Sequence, residues 1–513
     1  VVSLWHRESR MWGVTAALVL VLLTLFWFYA RWRHQHWQRM GVYSPPGLPF
    51  LGHFLTNLNV GMLSWEFKEK NYKATRDSTG FGLYELFKPN LSVNNLGLYY
   101  NICIKDFDHF VDRRAFVLGS DILSQMLIAA KGAQWRGLRS IMSPMFSSGK
   151  IKSMYPLIQE KTQALLDYCD REKDAQDVID FDDAYTKFTL DVISACAFGM
   201  EINVLQGENV EFLNAVRSLF RFNFKFFIKF LVFSVCKPLF TYLNVKSHNP
   251  TMDYFINAVK ETIKKRNEGP PRGDFVDMML NAKKSEEQKK KDGISSSFVL
   301  TDNTIIAQSV LFLTVGFETT STTLKFATHL LAKHQQQQDC LRKELQLIVE
   351  NSEDSKLNYQ DLMEAKYLDA FISETIRMYP PGHVIERECT KDYKIPDTNI
   401  MISKGDLVSF PAYNIHRDER YFPDPEQFNP DRFLPENKSN IPQGAYVPFG
   451  IGPRMCIAKR FALMETKLAI SELVLHYRIS LAEGFEQMKL NKLPGILQPA
   501  KGISKFRIHK LDQ

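Results

Sequence analysis

Cys456 closes the segment PFGIGPRMC and is followed at once by a helical run from Ile457 to Leu475. A thiol at a loop-to-helix junction meets unpaired backbone N–H groups and the positive end of the helix dipole, and both favour the thiolate. Phe449, Gly450 and Gly452 predict a tight turn ahead of it, where glycine permits conformations a Cβ forbids. Arg454 adds a fixed positive charge two residues away. Such a cysteine is suited to ligate a metal or to act as a nucleophile; the plainer alternative is a buried structural cysteine.

A second chemical feature lies in TVGFETTS, where Glu318 precedes Thr319, an acid beside an alcohol. Proton transfer through hydroxyls and water in a dry site needs such a pair. The plainer reading is a threonine-rich helix bend, because Gly316 and the paired threonines weaken the turn. A third feature is Trp135 and Arg139, four apart and so on one helix face. Arg113, in FVDRRAF, adds a further cation.

These residues need elements to position them. Leu300 to Lys333 lacks proline and offers Thr301 or Asp302 as an N-cap, which predicts one long helix around Glu318 and Thr319. Glu374 and Arg377 lie three apart on a helix that Pro380 and Pro381 end, so they can pair on one face. Phe181 to Met200 has apolar residues at helical spacing and reads as core. Lys283 to Gly293 is almost entirely polar and reads as a mobile surface loop, and Gln335 to Gln338 as a solvated helix end. In Arg221 to Phe240, Phe222, Phe224, Phe226, Phe227, Phe230 and Phe233 alternate with Arg221, Lys225 and Lys229. Such a stripe serves either as core or as a monotopic membrane contact.

Met11 to Ala30 carries no charge over a length that spans a hydrocarbon core. A cleaved signal peptide is the alternative, against which the run's aromatic end and missing small-residue cleavage site speak. Arg31, Arg33 and Arg39 outnumber Arg7 and Arg10, which places the large domain in the cytosol. The expected organisation is an anchor with its basic flank over 1–40, a proline-rich hinge over 41–52 and one catalytic domain over 53–513. The chain has 513 residues, is 45% hydrophobic and carries a formal charge of +7, with no basic run of the kind that binds nucleic acid. Its seven cysteines are widely spaced without a C-x-x-C pair, which speaks against redox dithiol and structural zinc readings and suits a reducing compartment.

Phe449, Gly452, Arg454 and Cys456 in F-x-x-G-x-R-x-C resemble the cysteine loop of the cytochromes P-450, with Ala458 where the family usually has glycine. TVGFETTS resembles the family's A/G-G-x-D/E-T-T turn, with Val315 in place of alanine. Glu374 and Arg377, with Arg432 in NPDRF, resemble its E-x-x-R triad. G-x-x-W-x-x-x-R resembles its C-helix, and SPPGLPFLG the proline hinge of its microsomal members. The wording of the whole chain is most similar to the microsomal clan that includes the vertebrate 3A-type and the insect detoxification families.

The resemblance implies a mainly α fold with a small β region behind a transmembrane helix, and haem b (iron protoporphyrin IX) ligated by Cys456. It implies that Phe449 and Arg454 flank the haem and that Arg113, Trp135, Arg139 and Arg387 hold its propionates. Glu318 and Thr319 become the acid and alcohol that deliver protons during dioxygen cleavage, which a thiolate ligand favours. His383 becomes a wall residue, and Pro494 to Leu497 the loop closing the pocket opposite. The implied activity is monooxygenation of lipophilic xenobiotics, steroids or fatty acids at the endoplasmic reticulum membrane. No G-x-G-x-x-G follows a strand, so electrons come from a partner: NADPH–cytochrome P-450 reductase, with cytochrome b5 as a further candidate. Arg136, Lys459 and Arg460 are the expected docking cations. Two alternatives are a haem-thiolate isomerase or dehydratase acting on lipid peroxides, and a non-catalytic membrane haem protein.

Overall fold

The uncharged run after Met11 folds as a single helix, α1 (Val2–Arg33). Leu18, Leu22, Leu25 and Phe28 are all exposed on it, and Trp12–Arg33 is long and apolar enough to cross a membrane. The computed structural model describes residues 2–57, 64–114, 120–175, 177–219, 250–270, 272–292, 298–491 and 496–511. The aromatic stripe expected over 221–240 lies outside the described residues, as do Pro494 and Gly495 of the expected closing loop over 494–497. The chain divides into two units, Val1–Val111 with Val384–Asn414, and Asp112–His383 with Ile415–Gln513.

The first unit is built on a four-stranded sheet. β1 (Gly80–Glu85) and β2 (Lys88–Val93) form an antiparallel hairpin in the register Gly80↔Val93 to Glu85↔Lys88. With β3 (Ile385–Glu388) and β4 (Leu407–Phe410) the order is β1-β2-β4-β3, β2 and β4 running parallel. Phe81, Leu83, Leu91, Val93, Leu407 and Phe410 are buried, which is what keeps so short a sheet together.

The segment after α1 is fixed to this hairpin. His34 bonds Leu86 O at 2.8 Å, and Trp37, fully buried, donates its Nε1–H to Leu83 O at 3.1 Å. Gly82 makes room for that indole: a Cβ there would lie 2.2 Å from Trp37 Cγ. The proline-rich segment is pinned as well, since Ser44 Oγ donates to Gly82 O and the Gly82 N–H to Tyr43 O.

The second unit is mainly helical. Its principal helices are α2 (Gly132–Met142), α3 (Ser148–Ala175), α4 (Phe181–Phe198), α5 (Phe275–Lys291), α6 (Asp302–Lys333), α7 (Gln335–Glu350), α8 (Lys366–Met378) and α9 (Lys459–His476). A small sheet pairs β5 (Tyr477–Leu481) antiparallel with β6 (Lys505–Lys510). α6 runs through the core, with every residue from Thr304 to Thr314 and from Thr320 to Ala332 buried. The Thr301 side chain accepts the Thr304 N–H and caps it. α4 crosses α6 closely at Gly316, where a Cβ would sit 3.0 Å from Ile193 Cδ1. The buried Lys325 on α6 meets Asp182 on α4 at 2.6 Å.

Two local expectations are corrected. Lys283 to Lys291 is not a loop but the end of α5. Lys283 pairs with Glu287 and Lys289 with Glu286 at helical spacing, and Lys283 also reaches Asp302 at the start of the helix Asp302–Lys333. Gln338 is not solvated: it is fully buried, donates to Leu331 O and Ile479 O, and accepts from the Ile479 N–H and Arg342. An amide carries enough donors and acceptors to tie three segments in the interior.

Candidate functional site

The cysteine loop is a pair of turns whose geometry requires its glycines. Gly450 has φ 71° and Gly452 φ 72°, in the left-handed region that side chains disfavour. The Gly450 N–H donates to Val447 O, the Met455 N–H to Gly452 O, and the Cys456 N–H to Phe449 O at 2.9 Å. α9 begins at Lys459, two residues later than the sequence pattern indicates. Cys456 is a free thiol open to solvent on one side. Elsewhere protein surrounds it, and burial pushes the thiol up. The Ala458 amide, Arg113, Arg139 and Lys459 act in the opposite direction by favouring the anion.

Arg454 is buried, and its guanidinium donates to Leu127 O at 3.1 Å and Ala130 O at 2.8 Å, with Asp112 at 3.9 Å. It also stacks on Trp135, its Cζ 4.1 Å from the ring centroid. Arg113 Nη2 donates to Arg454 O at 3.0 Å. The four residues Arg113, Trp135, Arg139 and Cys456 thus gather around one loop, although α2 and the loop lie far apart in sequence. Phe449 lies beneath Lys459, whose Nζ is 5.6 Å from the ring centroid. Arg136, Lys459 and Arg460 are exposed.

Behind the loop, Arg377 makes a bidentate pair with Glu374, at 2.7 and 2.8 Å, both fully buried. Its remaining donors reach His416 O and Pro425 O. Glu374 also accepts the Asn429 N–H and lies 3.5 Å from Arg432 Nε. The residue that sequence reasoning missed is His416. Its Nε2 accepts the Val447 N–H at 3.0 Å, so Nδ1 carries the proton and donates to Arg377 O at 3.2 Å. Burial, with Arg377 nearby, holds this imidazole neutral by lowering its pKa to about 3. One uncharged ring therefore links the carboxylate–guanidinium cluster to the first turn of the cysteine loop. In the sequence it is an isolated histidine with no spacing to mark it.

Between its exposed ends, α6 is accessible at one turn. Val315 is 43% exposed and Gly316, Glu318 and Thr319 are partly exposed, while Phe317 and Thr320 are buried. The helix is continuous through that turn, and the Thr319 and Thr320 hydroxyls donate back to Val315 O and Gly316 O. The Glu318 carboxyl is pushed up by burial, which Lys325 opposes and Asp182 reinforces. It accepts from Gln498 Nε2 at 2.8 Å, a partner not foreseen in the sequence. His383 is buried.

Arg387 belongs to β3 of the first unit and is fully buried. Its Nη1 donates to Glu386 O, while Nε and Nη2 find no hydrogen-bond partner among the described residues.

A lone thiol on a glycine turn, framed by the buried Arg454 and the half-buried Arg113 and Arg139 and backed by a locked carboxylate–guanidinium cluster, is suited to ligate a metal ion. The comparisons agree. The family model for cytochrome P450 matches residues 43–505. The chain is 32% identical to cytochrome P450 3A1 of Rattus norvegicus over 95% of each chain. It is 33% identical to cytochrome P450 6k1 of Blattella germanica, over 90% of this chain and 91% of that one. It is 34% identical to probable cytochrome P450 6a14 of Drosophila melanogaster, over 91% and 94%. The chain belongs to the cytochrome P450 family. It is therefore a haem-thiolate monooxygenase, an oxidoreductase whose iron cofactor is haem and whose co-substrate is O2.

The residues present fit that cofactor. A haem needs one protein thiolate on its iron and cations for its two carboxylates. Cys456 is the accessible thiol in the glycine turn, and Arg113 and Arg139 in the same unit are cations close enough to favour its anion.

Proposed function

We propose that the chain is a single-pass enzyme of the endoplasmic reticulum with its catalytic domain in the cytosol. It inserts one oxygen atom from O2 into lipophilic xenobiotics, steroids or fatty acids. NADPH–cytochrome P-450 reductase supplies the electrons, and cytochrome b5 can assist. The anchor and its flank occupy 1–40, the hinge 41–52 and the catalytic domain 53–513. The observation that carries the reading is the coexistence, in one unit, of the thiol turn at Cys456 and the accessible mid-helix turn of α6 that presents Glu318 and Thr319.

The cofactor, haem b, would be held by Cys456 at the metal and by Arg113, Trp135, Arg139 and Arg387 at its carboxylates, with Phe449 and Arg454 shaping the ligand loop. When bound, it supplies the oxygen-activating, one-electron chemistry that side chains lack. The protein's own part is proton handling and exclusion of water. Thr319 offers a hydroxyl at the accessible turn, and Glu318 beside it is an acid that burial keeps protonated more readily than a surface glutamate. Val315, exposed on the same turn, restricts the space above it and so selects substrate orientation. Arg136, Lys459 and Arg460 form a basic face for an acidic electron donor.

An isomerase or dehydratase dispenses with external electrons, and Glu318–Thr319 speaks against it; no missing motif supports a non-catalytic haem protein. The deciding experiment is turnover of mixed lipophilic compounds by membranes carrying the chain and a reductase. Products one oxygen heavier that require NADPH are expected. Rearranged lipid peroxides without NADPH, and no oxygenated products with it, would move the assignment to an isomerase.

A further inference from the structure

Gln498 Nε2 donates to Glu318 Oε1 at 2.8 Å, across a large separation in sequence. The residue is itself held in place by backbone bonds on both sides. The Asn491 N–H donates to Gln498 O, the Ala500 N–H to Lys489 O, and the Leu497 N–H to Pro381 O. A side chain on so constrained a segment has little freedom, so the bond costs little ordering entropy. Glu318 in turn stands on the one accessible turn between the two buried stretches of α6. The charged groups that face it are Lys325 on α6 and Asp182 on α4, and those two already pair with each other. Gln498 is thus the neutral donor that reaches the carboxyl directly.

We propose that Gln498 is a positioning residue for Glu318, holding its carboxyl toward the C-terminal loop and setting how readily it gives up its proton. This rests on the proton-donor role given to Glu318 above. An N–H donated to a carboxylate stabilises the charged form, so removing it raises the carboxyl's titration midpoint, and a cationic donor lowers it. The midpoint and the product yield therefore answer separate questions.

The test is infrared titration of the full-length holoenzyme in phospholipid vesicles, with the Glu318 carbonyl band identified by its loss in Glu318→Gln. Gln498→Leu is expected to move the midpoint up by about one pH unit, and the protonated band to higher frequency. Gln498→Lys is expected to move the midpoint down. A merely structural role for Gln498 would not shift the midpoint in opposite directions. Midpoints unchanged in both variants would overturn the proposal, whatever the enzyme turns over. Opposite shifts without any NADPH-dependent product would leave the Gln498 assignment standing and overturn the substrate reading instead.

Discussion

The Arg454 guanidinium lies 4.1 Å from the centroid of the Trp135 indole. The arginine comes from the cysteine loop and the indole from α2, and both are buried. Arg454's hydrogen bonds go to Leu127 O and Ala130 O. The stack fastens the segment that leads into α2 against the loop that carries Cys456.

Replacing Trp135 by alanine should therefore destabilise the fold by about 3–5 kcal/mol and lower haem content, because a buried ring and a cation–π contact are both lost. Phenylalanine, which keeps an aromatic face, should recover much of both. Denaturant unfolding and the haem-to-protein ratio measure the two effects. Equal losses in the two variants would show that the ring's face is irrelevant.

Cys456→Ser should keep the secondary structure, since the turn is held by the backbone bonds of Phe449, Gly450 and Met455. It should abolish the thiolate-type absorbance of the reduced, carbon monoxide-treated protein. A retained thiolate spectrum would place the ligand on another residue.

Glu374→Ala should cost about 3–5 kcal/mol, because it leaves the fully buried Arg377 without its bidentate partner. The expected result is failure to recover folded, haem-loaded protein. Full yield and an unshifted melting temperature would mean that Arg377 is neutralised by another route.

Two buried histidines make stability depend on pH. Burial lowers the pKa of His416 to about 3 and of His329 to about 4. Each binds a proton more readily unfolded than folded. Their contribution is complete above the unfolded value of about 6.5 and is lost as pH falls towards the folded one. Each should steepen the loss by up to about 1.4 kcal/mol per pH unit. His329→Leu should flatten the stability curve between pH 6 and about 4 by one proton, measured by urea unfolding across that range. An unchanged slope would place His329 in water in the folded state.

Gly82→Ala should unseat Trp37, because the new Cβ would overlap the indole. Limited proteolysis between Arg33 and Gly41 should become markedly faster. Unchanged cleavage would mean that the segment is not held by that ring.

What the sequence by itself determined is chemistry encoded over a few residues. The turn ahead of Cys456, the helix-face pair Trp135 and Arg139, the Glu374–Arg377 pair, the Thr301 cap and the apolar run of α1 all follow from local rules of spacing, φ and dipole. Those rules misjudged Lys283–Lys291 and Gln338, because composition alone does not say whether charges pair along a helix or whether an amide is enclosed. Only the tertiary structure decided that Gly316 admits Ile193, that His416 joins Arg377 to Val447, that Arg454 rests on Trp135 and that Gln498 reaches Glu318. These pairs join residues distant in the chain. Their partners are chosen by how helices and loops close around one core, and short-range patterning carries no record of that choice.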